Sequence, residues 1–485
     1  MKYSLTLAAL VALVAGKEIP KDEARAAELY DSGVMHERIM AEKYEQWDRH
    51  ASMRAASLED TEYPELHFAQ CRDGRSVPFR DQPNFFFRCN NVNLHHFLPH
   101  SALGSQTGLG SSSWGWTSND GREFAIIAQA DGAAFAEVIR GGKLRYLGRL
   151  PQTAGAAAAI WREIRVFKHY IVVGSESYNH HIQIFDLEKL LDIDYRSPVT
   201  FDPTTDVTGF YGNLPDGRAH NVLTNDATNF AYVVGARPRN DTCRAGLIFI
   251  DLSDPSNPTS PGCAPLDGYV HDAQCLVYKG PHEKYLGREI CYGYNEDSLT
   301  IYDVTDKQYP ELVSVTSYEG ATYTHQGWVL DTENQEFLIL DDEYDEHDGR
   351  GPGANGHATT FIWDIRDLEN PKQTGYYQAP RITIDHNQYV FGNYSYQSNY
   401  GAGLSILDIS SIPQQPNGSG VREVGWFDVY REDDALEAGG VLEFVGSWSS
   451  YAGFASGYIL INTIEQGAFL VKVQNPALGG AWTAE

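Results

Sequence analysis

Four histidines occupy one position of a repeating pattern. They are His220 in "AHNVLTN", His271 in "VHDAQCL", His325 in "THQGWVL" and His386 in "DHNQYVF". Each opens a short apolar run and is followed by Asn, Asp or Gln. Their separations of 51, 54 and 61 residues fit no local metal-binding motif, so only equivalence between repeat units brings the rings together. Converging neutral imidazoles are ligands for zinc, copper or iron, and the order of divalent affinities favours copper. Arg162 holds the same position in the preceding unit and Ser447 in the following one. If the site is catalytic, Asp272 and Glu163 are the candidate bases and Arg162 is a third catalytic candidate, with Glu176 a further carboxylate near an inner strand. The polar residue after each histidine is either an orienting partner for a ligand or a strand-end cap. A histidine bonded within its own repeat would recur just as regularly with no metal.

A second constellation is acidic. "LDDEYDEHDGRGPG" places Asp341, Asp342, Glu343, Asp345 and Glu346 at a strand end and in a glycine-rich loop, where several oxygens suit calcium. The spacing is not that of an EF-hand, and a solvated acidic face is the competing reading. A third is aromatic: "WGW" at 114–116, "YSYQSNY" at 394–400 and "SWSSY" at 447–451 suit stacking on sugars at a channel mouth, or packing between sheets. No nucleophile elbow, HExxH, P-loop or dinucleotide fingerprint occurs, which argues against serine-hydrolase, phosphoryl-transfer and hydride chemistry.

The elements that must position these residues repeat as well. Later halves of five segments align as "HIQIFDLEKL", "GLIFIDLSDPSNP", "SLTIYDVTDKQYP", "TTFIWDIRDLENP" and "GLSILDISSIPQQP". In each, an apolar strand closes on Asp, which accepts turn N–H groups, and proline directs the exit where it occurs. Weaker copies at 112–139 and 446–473 bring the total to seven units, with the period of four-stranded propeller blades. The expectation is an all-β fold, a seven-bladed β-propeller over 71–476 with an N-terminal helical arm over 17–70 and a tail over 477–485. The first strand of each blade lines the channel, so the four imidazoles face the axis. Either the arm or the C-terminal strand could complete the first blade. In the arm, Val34, Ile39, Met40 and Tyr44 lie near a 3.6 period and predict one or two amphipathic helices, with a pro-segment as the competing view.

Residues 1–16, with one lysine and an apolar run, have the layout of a secretory signal peptide, and nothing else is long and apolar enough to span a membrane. Six cysteines in short-range pairs, 71 with 89, 243 with 263 and 275 with 291, agree with export, although six cysteines allow 15 pairings. Sequons at Asn240, Asn393 and Asn417 fit a secreted glycoprotein. With 37 basic against 65 acidic residues, the net charge of −28 repels nucleic acid and anionic lipid. A soluble extracellular monomer meeting a small molecule or carbohydrate follows, with no nucleic acid and no membrane insertion.

Stretches such as "GLIFIDLSDPSNP", "VHDAQCLVYKGP", "GREICYGYNEDSLTIYDVTDK", "YTHQGWVLD" and "GNYSYQSNYGAGLSILDI" resemble the secreted choice-of-anchor B family, named for LVIVD-like repeats. The resemblance covers about residues 71 to 473 and implies an extracellular propeller. It brings no established reaction. The functional expectation is therefore an axial, His-rich site binding or acting on an extracellular small molecule or glycan. The alternative is a non-catalytic binding or matrix protein that uses its rim.

Overall fold

The computed structural model describes residues 18–56, 63–436 and 440–475. The expected signal peptide and the tail from 477 lie outside them.

The strands group into seven sheets in a propeller-like arrangement. In chain order of their first strands these are sheet A (Gly110–Thr117), B (Arg162–Phe167), C (Asn221–Asn225), D (Asp272–Val277), E (Thr324–Val329), F (Gln388–Phe391) and G (Ser447–Tyr451). Each first strand packs beside the next, and that of G returns to that of A. Sheets stacked in this way are buried on both faces, so their second strands read as continuous apolar runs instead of alternating ones. Glu123–Gln129 of A and Phe337–Asp342 of E are buried at every residue.

The aspartates that end the third strands act as read from sequence. Asp186, Asp251, Asp303, Asp364 and Asp408 each accept the N–H two residues on, at 2.8–3.1 Å. Ring closure, left open by the sequence, is made by a segment before the first repeat. Val92–Pro99 is the fourth strand of sheet G, antiparallel to Gly467–Val473. Phe87–Asn90 then extends the outer edge of sheet F. All three nearest-neighbour disulfides form, and among the described residues no helix is long and apolar enough to cross a membrane.

The arm is docked. Glu18–Ile19 adds a strand to the outer edge of sheet D. Asp22 caps a short helical turn by accepting from the N–H groups of Ala24 and Arg25. Gly33, at φ 82°, takes the left-handed turn that launches the long helix Val34–Ala56. This helix lies across the axial mouth, with Met35 and Ile39 against Trp161, Tyr323, Tyr344, Tyr400 and Trp448. The expected apolar stripe is only half right. Ile39 is buried, but Val34 is 58% and Tyr44 48% exposed, while His36 and Lys43 are turned inward. The buried face is polar because it meets the axial site and not a hydrophobic core.

Candidate axial metal site

The four repeat-equivalent histidines stand side by side around one cavity. Ring centroids are 4.2 Å apart for His220 and His271, 4.4 Å for His271 and His325, and 4.4 Å for His325 and His386. All four line one cavity of about 20 Å³, room for about one water molecule or ion.

In every ring Nδ1 is already taken. His220 Nδ1 lies 2.9 Å from Glu176 Oε1, and His271 Nδ1 lies 2.9 Å from the carbonyl of His325. His325 Nδ1 is 3.0 Å from Asp341 Oδ1, and His386 Nδ1 is 2.7 Å from the carbonyl of Trp448. A carbonyl only accepts, so His271 and His386 carry their proton on Nδ1 and leave Nε2 as the free lone pair. Asp341 imposes the same tautomer on His325, because its two oxygens also accept from the Gln326 N–H and from Gln388 Nε2. Outer acceptors that fix Nδ1–H are the usual support of metal-ligating imidazoles.

Burial keeps three of the rings, those of His271, His325 and His386, unprotonated. Burial holds His271 and His325 well below the ordinary imidazole range, and it lowers His386 to about 4 despite Glu343 nearby. Burial would raise Glu176, but His220, Arg237 and Arg218 outweigh it and hold that carboxylate at about 2. It is therefore a permanent anion beside His220.

The arm supplies what repeat alignment did not. His36 Nδ1 lies 2.7 Å from the Tyr323 hydroxyl, and its Nε2, without a hydrogen bond, is 3.8 Å from Glu176 Oε1. Lys43 Nζ donates to Glu343 Oε1, as does the Tyr400 hydroxyl. His325, Glu343 and His386 each bring one ligand atom within 4.8 Å of the others, and so do His36, Glu176 and His220. Glu343 was visible in the sequence only as part of an acidic run.

Other expected site residues fall around this centre in different roles. Arg162 lines the cavity but is spent on structure, donating to the carbonyls of Gln129 and Ala130 and meeting His180 Nε2. Glu163 lines it too, accepting from Ser112 and Arg165. Arg165, which pairs with Glu163, lies over the rings of Trp114 and Tyr389. Asp272 is one residue deeper than His271 and does not line the cavity. Burial raises its carboxyl to about 6. Ser447 stands in the ring position but Trp448 forms the wall.

None of the residues following the histidines bonds its own histidine's ring. Asn221 accepts from the Val222 N–H, Gln326 from the Gln388 N–H and Asp272 from the Ala273 N–H, while Asn387 donates to the Trp448 carbonyl that also holds His386 Nδ1; Asn221 and Asn387 line the cavity beside their histidines. Nor does the acidic run form a solvated face: Asp341, Asp342, Glu343, Asp345 and Glu346 are at most 2% exposed. The aromatic stretches form no platform at the mouth. Tyr400 and Trp448 are buried beneath the arm, and Trp114 packs edge to face with Tyr389.

No protein-family model matches the sequence, and none of the curated proteins is detectably similar to it. Among solved structures the chain is similar to hydrazine synthase of Kuenenia stuttgartiensis, with 11% identity over 75% of this chain and 96% of that one and a TM-score of 0.45. It is also similar to the computationally designed protein Ika8, with 10% identity over 75% and 83% and a TM-score of 0.42. A functionally unknown protein from Desulfotomaculum acetoxidans matches with 8% identity over 62% and 83% and a TM-score of 0.41.

Proposed function

We propose that His220, His271, His325 and His386 hold one divalent transition metal on the axis of a secreted seven-bladed propeller of the choice-of-anchor B type. The observation that carries this reading is the occupation of all four Nδ1 atoms, which leaves four Nε2 atoms around one ion-sized cavity. Neutral imidazoles suit copper, zinc or iron. The succession of seven sheets supports the blade count. The three disulfides support an oxidising, extracellular setting.

The metal would act as a Lewis acid or redox centre toward a small extracellular ligand. A cavity of about 20 Å³ under the arm helix admits a water-sized ligand and no sugar ring, so a glycan or larger substrate requires the helix to move aside. The same small volume favours, as a second reading, a non-catalytic protein in which the metal ties the blades together and the rim makes the contacts.

Elemental analysis tests the metal. Protein made without a histidine tag should hold about one equivalent of copper, zinc or iron, and His271→Ala with His325→Ala should abolish it while the β circular-dichroism signal remains. A wild-type protein that stays metal-free after exposure to all three ions rejects the proposal.

A further inference from the structure

Beside the axial site, on the seam between sheets E and F, lies a second group of donors of a different chemical kind. Asp345 and Glu346 follow the second strand of E, and Asp385 precedes the first strand of F. All three are buried, Asp345 at 0% and the other two at 2% exposure. Neither oxygen of Asp345 and neither oxygen of Asp385 receives a hydrogen bond. The Asp345 and Glu346 carboxyls lie against each other, close enough to share one proton or one cation, and the peptide N–H groups of Asp345 and Glu346 are near the Asp345 carboxylate but off hydrogen-bonding geometry. Glu346 accepts the Thr359 N–H on Oε1 and leaves Oε2 bare. Asn399 is buried alongside: its carbonyl accepts from Thr383 Oγ1, two residues before Asp385, and both of its side-chain polar atoms lack partners.

Three carboxyls enclosed without a cation are costly to ionise, so each must hold a proton or share a bound cation. The strongest charges acting on Asp385 are the carboxylates of Asp341, Asp345, Asp342 and Glu343, which all oppose its ionisation on top of its burial. Lys43 is committed to Glu343 and Arg38 to Asp348. The neighbouring Asp342 shows what a satisfied carboxylate looks like here. It accepts from the Tyr318 hydroxyl and from the N–H groups of Thr322 and Tyr323.

The loop that follows is built around these oxygens. A Cβ on Gly353 would stand 2.5 Å from Asp345 Oδ2, so the glycine-rich turn Gly351–Asn355 closes directly onto the carboxylate. Arg350 N–H ties the loop back to the Asp345 carbonyl.

We infer that Asp345, Glu346 and Asp385, with the Asn399 amide beside them, form a binding site for a hard divalent cation of the calcium class. The donors are oxygens and an amide, with no nitrogen or sulfur ligand, which selects calcium or its like over the transition metals suited to the histidines. The site joins two sheets across the seam, and it shares a strand end with Asp341 and Glu343, the carboxylates that serve His325 and the axial cavity.

The test uses the full chain stripped with a chelator at neutral pH. Calcium alone should bind with a stoichiometry near one by calorimetry and raise the melting temperature by roughly 3 °C at a hundredfold excess over Kd. Terbium in its place should luminesce on excitation of tyrosine, since Tyr344 adjoins the site. The isosteric variants Asp345→Asn and Asp385→Asn should lose both responses and keep their axial transition metal. If the wild-type protein gives no calcium heat, no thermal shift and no terbium signal, the carboxyls hold protons instead of a cation and the inference fails. It fails equally if both variants bind calcium as the wild type does.

Discussion

Lys43 Nζ lies 2.5 Å from Glu343 Oε1, so a residue of the arm helix completes an ion pair inside the cavity that the propeller histidines line. The carboxylate sits 3.6 Å from His386 Nε2. Burial lowers the Lys43 ammonium against the pull of Glu343. Burial also opposes ionisation of Glu343, but Lys43 and His386 outweigh it and keep its pKa below the usual glutamate value.

Breaking that pair from one side strands a charge. Lys43→Met should cost about 3–5 kcal/mol in metal-free protein, because Glu343 is left buried and uncompensated. Lys43→Met with Glu343→Gln should cost less than Lys43→Met alone. Denaturant midpoints of the three proteins check this, and a double variant weaker than the single would refute the account.

The propeller and its histidine ring were legible because repetition makes equivalent residues visible at any separation, and the strand-end aspartates marked the register. Residues outside the repeat could not be found that way. His36 and Lys43 come from a helix whose apolar period pointed to Val34 and Tyr44, yet the structure turns both of those outward. Burial of the acidic run was also hidden. Five carboxylates in six residues look like a solvated surface until the seam between sheets E and F encloses them. Asp385, the third member of the proposed cation site, gave no signal beyond being the residue before His386.

His100 carries a pH dependence that is separate from both proposed metal sites. Its ring is buried, Nε2 lies 2.8 Å from the Thr463 carbonyl, and burial lowers its pKa to about 4. In the unfolded chain the ring titrates near the ordinary imidazole value of about 6.5. As pH falls below that value the unfolded state takes up a proton that the folded state refuses, so stability is lost between about 6.5 and 4 and this contribution is absent at higher pH. The loss reaches about 3 kcal/mol at the acid end. Urea unfolding at pH 7 and at pH 4.5 should therefore show a smaller acid loss in His100→Gln, which keeps a donor for Thr463, than in the wild type. Equal losses in the two proteins would remove His100 as the cause.

Asp341 offers the sharpest separation between a metal-orienting role and a merely structural one. Its Oδ1 accepts from His325 Nδ1 and the Gln326 N–H, and its Oδ2 accepts from Gln388 Nε2. Asp341→Asn keeps the size of the side chain but sets one amide NH₂ against these donors, so His325 loses either its acceptor or its tautomer. An orienting carboxylate of this kind is worth about 10- to 100-fold in metal affinity. Asp341→Asn should lower affinity for the axial metal by that factor, measured by competition with a chelating dye. Gln326→Leu, altering the same neighbourhood without touching a histidine nitrogen, should leave affinity within about threefold. A structural role alone would move both variants together, through stability, and would leave the ratio of their affinities near one.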